Sequence, residues 1–284
     1  MIEDAHGCID YDESGPESDH APTVVLVPGS CSTGAAWRPM IAAWDGAFRT
    51  VTTSLSGYGG TAARRTAQDA SIEHEADVLE AVVEKAGGKV HLVGHSFGSA
   101  AAFAFALRAP RAVASLTLIE MPPPSLLRAV GEHDHYRAFR RMTAVYEADF
   151  AAGKPDAIET MIDFYGGPGT WQSWPQRVRD YANRTTAVNL VDWVTAYGYV
   201  WNFEAMRTLG VPTLVLYGRR SPPAMQAGGL ALAQSLGVPL QMVDGAAHFM
   251  IATHAAEVAG RIAAHIRRVE ARPSGATFAT LALS

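Results

Sequence analysis

Val90-His91-Leu92-Val93-Gly94-His95-Ser96-Phe97-Gly98-Ser99-Ala100 is an apolar run that ends in glycine and passes at once into small residues. Its centre, Gly94-His95-Ser96-Phe97-Gly98, fits G-x-S-x-G, in which a serine stands on a sharp strand-to-helix turn. Strained backbone angles at that serine lift its hydroxyl clear of the sheet. Gly94 and Gly98 leave out the Cβ where neighbouring chain must come close. The helix that follows aims its N-terminal amides at the same point, where an oxyanion can be stabilised. The pentapeptide alone is a weak signal, because ordinary turns produce it. Here the flanking strand and helix are both present, and Ser96 is the candidate nucleophile.

Outward from this stretch the chain alternates strands and helices. Ile9-Asp10-Tyr11-Asp12 alternates as an exposed edge strand does, and Thr23-Val24-Val25-Leu26-Val27 reads as a buried central strand. The latter ends in Pro28-Gly29-Ser30, then a glycine-containing loop and a helix through about Trp44. A loop at that sheet edge can turn backbone amides inward. The amides of Ser30 and Phe97 are the candidate oxyanion donors. Thr50–Leu55 is the next strand. Gly57, Gly59 and Gly60 follow it, but no helix follows directly and no acid stands at ribose distance, so a dinucleotide loop is rejected. Ser71 to Ala86 is an amphipathic helix, and the helix after Ser96 runs to about Ala109, closed by Pro110.

Ser115–Ile119 is a strand ending at Glu120, after which the composition changes. Residues 121–208 lack strand-like runs and read as helices, among them Tyr136–Ala151, Pro155–Phe164 and Thr186–Ala196. This segment is rich in aromatics, including Tyr165, Trp171, Trp174, Trp193 and Trp201. Such density suits an apolar lid over a pocket, or simply the packing of the insertion onto the core. Trp171, Trp174 and Trp201 are the candidate substrate contacts. The alternation returns with the strand Thr213–Tyr217, a helix over Ala224–Leu236 and the strand Leu240–Val243. Asp244-Gly245-Ala246-Ala247-His248 and a helix from Ala255 to Val269 follow, and residues 271–284 form a polar tail.

The whole chain sets bounds on function. Its 284 residues, 48% of them hydrophobic, are enough for a sizeable core. With 23 basic and 28 acidic residues the net charge is −5, and no basic run appears, which argues against nucleic acid or an anionic membrane surface as partner. No stretch approaches ~20 uninterrupted apolar residues, so no span is expected. Met1-Ile2-Glu3-Asp4 lacks the apolar core of a signal peptide, and Cys8 and Cys31 read as free thiols. The expectation is a cytoplasmic protein acting on a small molecule. His133 and His135 lack a third ligand at useful spacing, so neither a metal nor a cofactor is expected. Oligomeric state is not legible.

Three segments together resemble the α/β-hydrolase superfamily: Pro28-Gly29-Ser30, Gly94 to Gly98, and Gly245 to His248. The likeness covers residues 9 to about 269. It implies an α/β fold: a mostly parallel sheet of about eight strands flanked by helices, with a helical cap inserted after the sixth strand. The core would then be residues 1–120 and 209–270, and the cap 121–208. It implies Ser96 as nucleophile and His248 as base. His95 adjoins Ser96 but would point away from its hydroxyl. The acid departs from the family pattern. The usual Asp after the strand ending Tyr217-Gly218 is missing from Arg219-Arg220-Ser221-Pro222. Glu120 ends the neighbouring strand and is the preferred acid, with Asp244 next. The implied function is hydrolysis of a small or medium apolar ester, lactone or thioester through an acyl-enzyme on Ser96. A cofactor-free lyase or cyclase on the same fold, and a non-catalytic binding relative, stand as alternatives.

Overall fold

The computed structural model describes residues 1–16 and 21–271, so the expected tail lies outside the described residues except for Ala271. Strands β1 (Ile2–Asp4) and β2 (Gly7–Ile9) form a separate antiparallel hairpin. Seven further strands make the main sheet: β3 (Asp12–Ser14), β4 (Thr23–Val27), β5 (Arg49–Thr52), β6 (Val90–His95), β7 (Val113–Ile119), β8 (Thr213–Gly218) and β9 (Leu240–Val243). Their order is β3-β5-β4-β6-β7-β8-β9, and only β3 runs antiparallel to its neighbour. The sheet thus has seven strands against an expectation of about eight, since β1 and β2 pair with each other rather than extending it.

The edge strand expected at Ile9–Asp12 is split. Asp10 spends its groups on a loop instead of a ladder. Its carboxylate accepts from Ser54 Oγ at 2.7 Å and from Gly60 N–H at 2.8 Å, and its own N–H donates to Thr61 Oγ1 at 3.0 Å. Chain that bonds side chains in this way cannot also pair a neighbouring strand.

Helices cover both faces of the sheet. They are α1 (Arg38–Trp44), α2 (Glu73–Lys85), α3 (Phe97–Arg108), α4 (Pro124–Ala129), α5 (His133–Ala151), α6 (Glu159–Gly166), α7 (Thr170–Ser173), α8 (Gln176–Arg184), α9 (Thr186–Gly198), α10 (Phe203–Arg207), α11 (Pro223–Leu236), α12 (Met250–Thr253) and α13 (Ala255–Glu270). Helices α4 to α10 all lie between β7 and β8, after the fifth strand of the main sheet where the expectation was after the sixth, because no strand precedes β3 in that sheet. The period-two rule divides the central strands between two cores. Val25, Val27 and Leu92 face α2 and α3, whereas Val24, Leu26 and Val93 face α1 and α13. Val24 to Val27 are all fully buried, each contributing about 1.5–3 kcal/mol by leaving water. Among the described residues, no helix is long and apolar enough to cross a membrane.

Two close contacts place the end of β6. A Cβ on Gly98 would fall 2.2 Å from the Pro28 carbonyl oxygen, and one on Gly94 would fall 2.5 Å from that of Gly98. Only glycine lets α3 start this near the end of β4. The second contact is His95, whose buried Nε2–H donates to the His248 carbonyl at 2.8 Å and ties β6 to the loop after β9.

Burial, reinforced by the neighbouring His248, pushes the His95 imidazole down to about 3. The unfolded chain therefore binds more protons than the folded one between that value and the ordinary 6.5. The stabilisation is complete above the ordinary value and is lost as pH falls through the window, at up to about 1.4 kcal/mol per pH unit. His95→Gln keeps an N–H donor and removes the titration. Urea denaturation of both forms at about pH 7 and about pH 5 should show a smaller pH dependence in the variant. An equal dependence would assign the acid lability to other groups.

Candidate active site

Ser96 stands between β6 and α3 with φ 54° and ψ −129°, a conformation that side chains rarely adopt. Its amide donates to the Ile119 carbonyl at 2.8 Å, which carries the ladder one residue past the strand. Gly29 lies directly against it: a Cβ there would fall 2.8 Å from Ser96 Cβ. Ser30 follows in the same loop. The strained turn and this close approach together hold the serine hydroxyl at the C-terminal edge of the sheet.

His248 lies in the loop between β9 and α12 and is 2% exposed. Its Nε2 is 3.0 Å from Ser96 Oγ, and its Nδ1 is 3.2 Å from Glu120 Oε2. Glu120 follows β7 with φ 52° and has no exposed surface. Its other oxygen accepts from Gly218 N–H at 2.5 Å and from Ser221 Oγ at 2.6 Å. Ser221 thus occupies the stretch where the resemblance places an aspartate, and its hydroxyl donates to the glutamate that comes from the neighbouring strand. Asp244 turns the other way and pairs with Arg219 at 2.6 Å, both side chains exposed.

The arrangement sets the imidazole tautomer. A carboxylate beside Nδ1 holds the proton there, which leaves Nε2 free to accept from the serine hydroxyl. An imidazolium formed by that transfer would face a carboxylate already held by two other donors. Of the two amides named from the sequence, that of Phe97 adjoins Ser96 directly. Phe97 opens α3, so its N–H has no acceptor within the helix. The Ser30 hydroxyl donates to Asp192 Oδ2 at 2.5 Å.

Aromatic rings wall the histidine, one of them from the insertion. Tyr165 of α6 stacks on the imidazole with centroids 4.1 Å apart and planes 18° from parallel. Burial raises its phenol well above the ordinary range, so it stays protonated. Phe249 meets the imidazole edge-on at 5.2 Å. Sequence reasoning placed Tyr165 among the aromatics of the insertion, but nothing local marked it as the ring that covers His248.

The three tryptophans named from the sequence fall in two places. Trp201 lines a cavity with Phe97, Ala100, Phe103, Met121 and Thr195, and its Nε1–H donates to Ser125 Oγ at 2.9 Å. Trp174 meets Phe249 edge-on at 5.0 Å. Trp171 lies behind Trp174, 5.9 Å away, with no exposed surface.

Comparison with known proteins agrees with this architecture. Carboxylesterase YbfK of Bacillus subtilis is 24% identical over 248 residues, covering 84% of this chain and 77% of the relative. Among solved structures, a thermophilic esterase from Thermogutta terrifontis superposes with a TM-score of 0.71 at 23% identity, covering 92% of this chain and 93% of that one. The enol-lactonase from Burkholderia xenovorans LB400 gives a TM-score of 0.66 at 18% identity, with coverage of 91% and 96%. Residues 22–255 match the family model for the alpha/beta hydrolase fold, and with the sheet order and the strand–serine–helix turn at Ser96 this makes the chain a member of the α/β-hydrolase family.

Proposed function

We propose that the protein is a serine hydrolase that cleaves a small or medium apolar ester or lactone through an acyl-enzyme on Ser96. One observation carries this reading: Ser96 Oγ, the His248 imidazole and the Glu120 carboxylate form a continuous relay at 3.0 and 3.2 Å. In this reading Ser96 Oγ attacks the acyl carbonyl carbon as His248 Nε2 takes its proton. Glu120 faces the resulting imidazolium. The oxygen of the tetrahedral intermediate points to the amides of Ser30 and Phe97. The intermediate then expels the alcohol, which takes the proton from His248. Water, activated by the same imidazole, frees the acid and restores Ser96. The esterase and lactonase names among the relatives support this bond class. A thioester fits the same chemistry.

The absence of an aspartate after Tyr217 is what favours a non-catalytic relative. A carboxylate that reaches His248 from Glu120 favours turnover instead. Residues 121–208 are assigned as the cap, with 1–120 and 209–270 as the catalytic core. Within the cap, Tyr165 is a positioning residue for His248. Its ring lies flat on the imidazole and keeps water from one side of it.

A fluorophosphonate probe read by intact mass should add to the parent at Ser96 and not to Ser96→Ala. The variant should lose turnover of a p-nitrophenyl ester while keeping a cooperative urea transition. Turnover in Ser96→Ala within a few-fold of the parent would end the nucleophile assignment. Glu120→Gln keeps the shape but removes the countercharge and the preference for the productive tautomer. Its kcat should fall at least about a hundredfold. Parent-like kcat would place the acid elsewhere.

The two groups of tryptophans should behave differently. Trp201→Ala should change the ratio of kcat/KM values across a series of acyl chain lengths, because it lines the cavity beside Phe97. Trp171→Ala should chiefly lower stability, by about 3–5 kcal/mol, with the chain-length profile of the parent. A profile unchanged in Trp201→Ala would remove it from the substrate site.

A further inference from the structure

Behind the loop that carries Ser30 lies a buried charged cluster that the proposed reaction does not use. Asp192 of α9 is 2% exposed. Its Oδ2 accepts from Ser30 Oγ at 2.5 Å and from Tyr58 Oη at 2.6 Å, and its Oδ1 pairs with Arg65. Arg65 also meets the buried Glu75 carboxylate at 2.8 Å and donates to Thr195 Oγ1 at 3.0 Å. The Arg65 guanidinium lies over the Phe97 ring, 5.0 Å from its centroid. One connected cluster therefore touches Ser30 through a hydrogen bond and Phe97 through a cation–ring contact. These are the two residues whose amides were assigned to the oxyanion.

Burying such a cluster is costly. Apolar side chains of the same volume often serve stability as well or better. Stability alone therefore gives little reason for two carboxylates and a guanidinium here. The guanidinium nonetheless keeps its charge. Burial works against the Arg65 charge, but Asp192 and Glu75 outweigh it and hold the guanidinium protonated. Burial and the Asp192 charge raise the Tyr58 phenol, which remains a donor to Asp192. Asp192 thus accepts from three groups at once and cannot turn without breaking all three contacts.

We propose that Asp192 is a positioning residue for the oxyanion site: by holding the Ser30 hydroxyl it fixes the Pro28–Ser30 loop, and so the Ser30 amide, where the tetrahedral oxygen will form. Arg65 is the anchor that holds Asp192. The role rests on the acyl-enzyme reading of Ser96. It also goes beyond it, because the insertion then supplies part of the reaction site and not only a wall of the pocket. A carboxylate acting at this distance serves the transition state more than substrate binding, so it belongs to kcat rather than KM.

The test uses two single variants and their double. Ser30→Ala removes only the hydroxyl and leaves the Asp192–Arg65 pair intact, so it remains informative even if Asp192→Asn unfolds. Loss of one oxyanion donor costs about 10²–10³ in kcat elsewhere, and a displaced donor costs less. On a p-nitrophenyl ester, each single variant should lose about ten- to a hundredfold in kcat with KM within threefold of the parent. The double variant should be no worse than the more damaged single, because both act through one contact. Phenylboronic acid, which forms a tetrahedral adduct on a serine oxygen, should bind more weakly by a similar factor. A folded Ser30→Ala with parent kcat and parent boronate affinity, alongside an inactive Ser96→Ala, overturns the positioning role and leaves the hydrolase reading standing. Parent-like turnover in Ser96→Ala overturns both. Losses in the two singles that multiply in the double would also overturn it, since Asp192 would then act by a route other than Ser30.

Discussion

A contact that admits no Cβ governs this molecule. The Gly98 Cα approaches the Val27 and Pro28 carbonyls so closely that any side chain would strike backbone. That approach sets where α3 begins relative to the ends of β4 and β6. Everything at the site is referred to it. Ser96 is forced into its left-handed turn, Phe97 becomes the first residue of the helix, and the Pro28–Ser30 loop is laid beside both. The strain at Ser96 is sustained because the strands on either side are fully buried and cannot relax.

What was legible in the sequence follows from this. Gly94 to Gly98 is a local pattern, and a local pattern with a strand before it and a helix after it survives without coordinates. The same holds for the last strand and the loop to His248, and for the central strands with their β-branched runs. The main-sheet strands from Thr23 onward and the long helices stand within a few residues of their expected ends. Ile9–Asp12 was the exception, because its alternation is real but Asp10 is taken by the Ser54–Thr61 loop. Residue periodicity carries no information about a competing backbone amide 50 positions away.

The site divides along the same line. Ser96 and His248 sit in loops with their own signatures. Glu120 has none; it was reached by asking which strand end neighbours the one ending at Gly218, and β7 pairs β8 in that way. Tyr165 stood out only as one aromatic among several, and the Asp192–Arg65 cluster was not reached at all. Each depends on how the insertion folds back onto the core, across sequence separations of 127 residues for Arg65 and Asp192. Aromatic density told of a hydrophobic insertion. It could not tell which ring would lie flat on an imidazole. Nor could one aspartate in an amphipathic helix announce a partner so far away.

The Asp192–Arg65 pair also limits how freely this scaffold can exchange parts. An insertion bounded by two strand ends looks replaceable, and grafting one from a relative is an obvious route to a new specificity. Here the graft would remove Asp192 and leave Arg65 in a dry interior with Glu75 alone, its Nε already without a partner. Removing one side of a buried ion pair typically costs about 3–5 kcal/mol, a large share of an ordinary domain's stability. A transplanted insertion must therefore bring a carboxylate to the same helix position, or Arg65 must be changed with it. The unit to exchange in this chain is the insertion together with the Tyr58–Glu75 stretch that receives it.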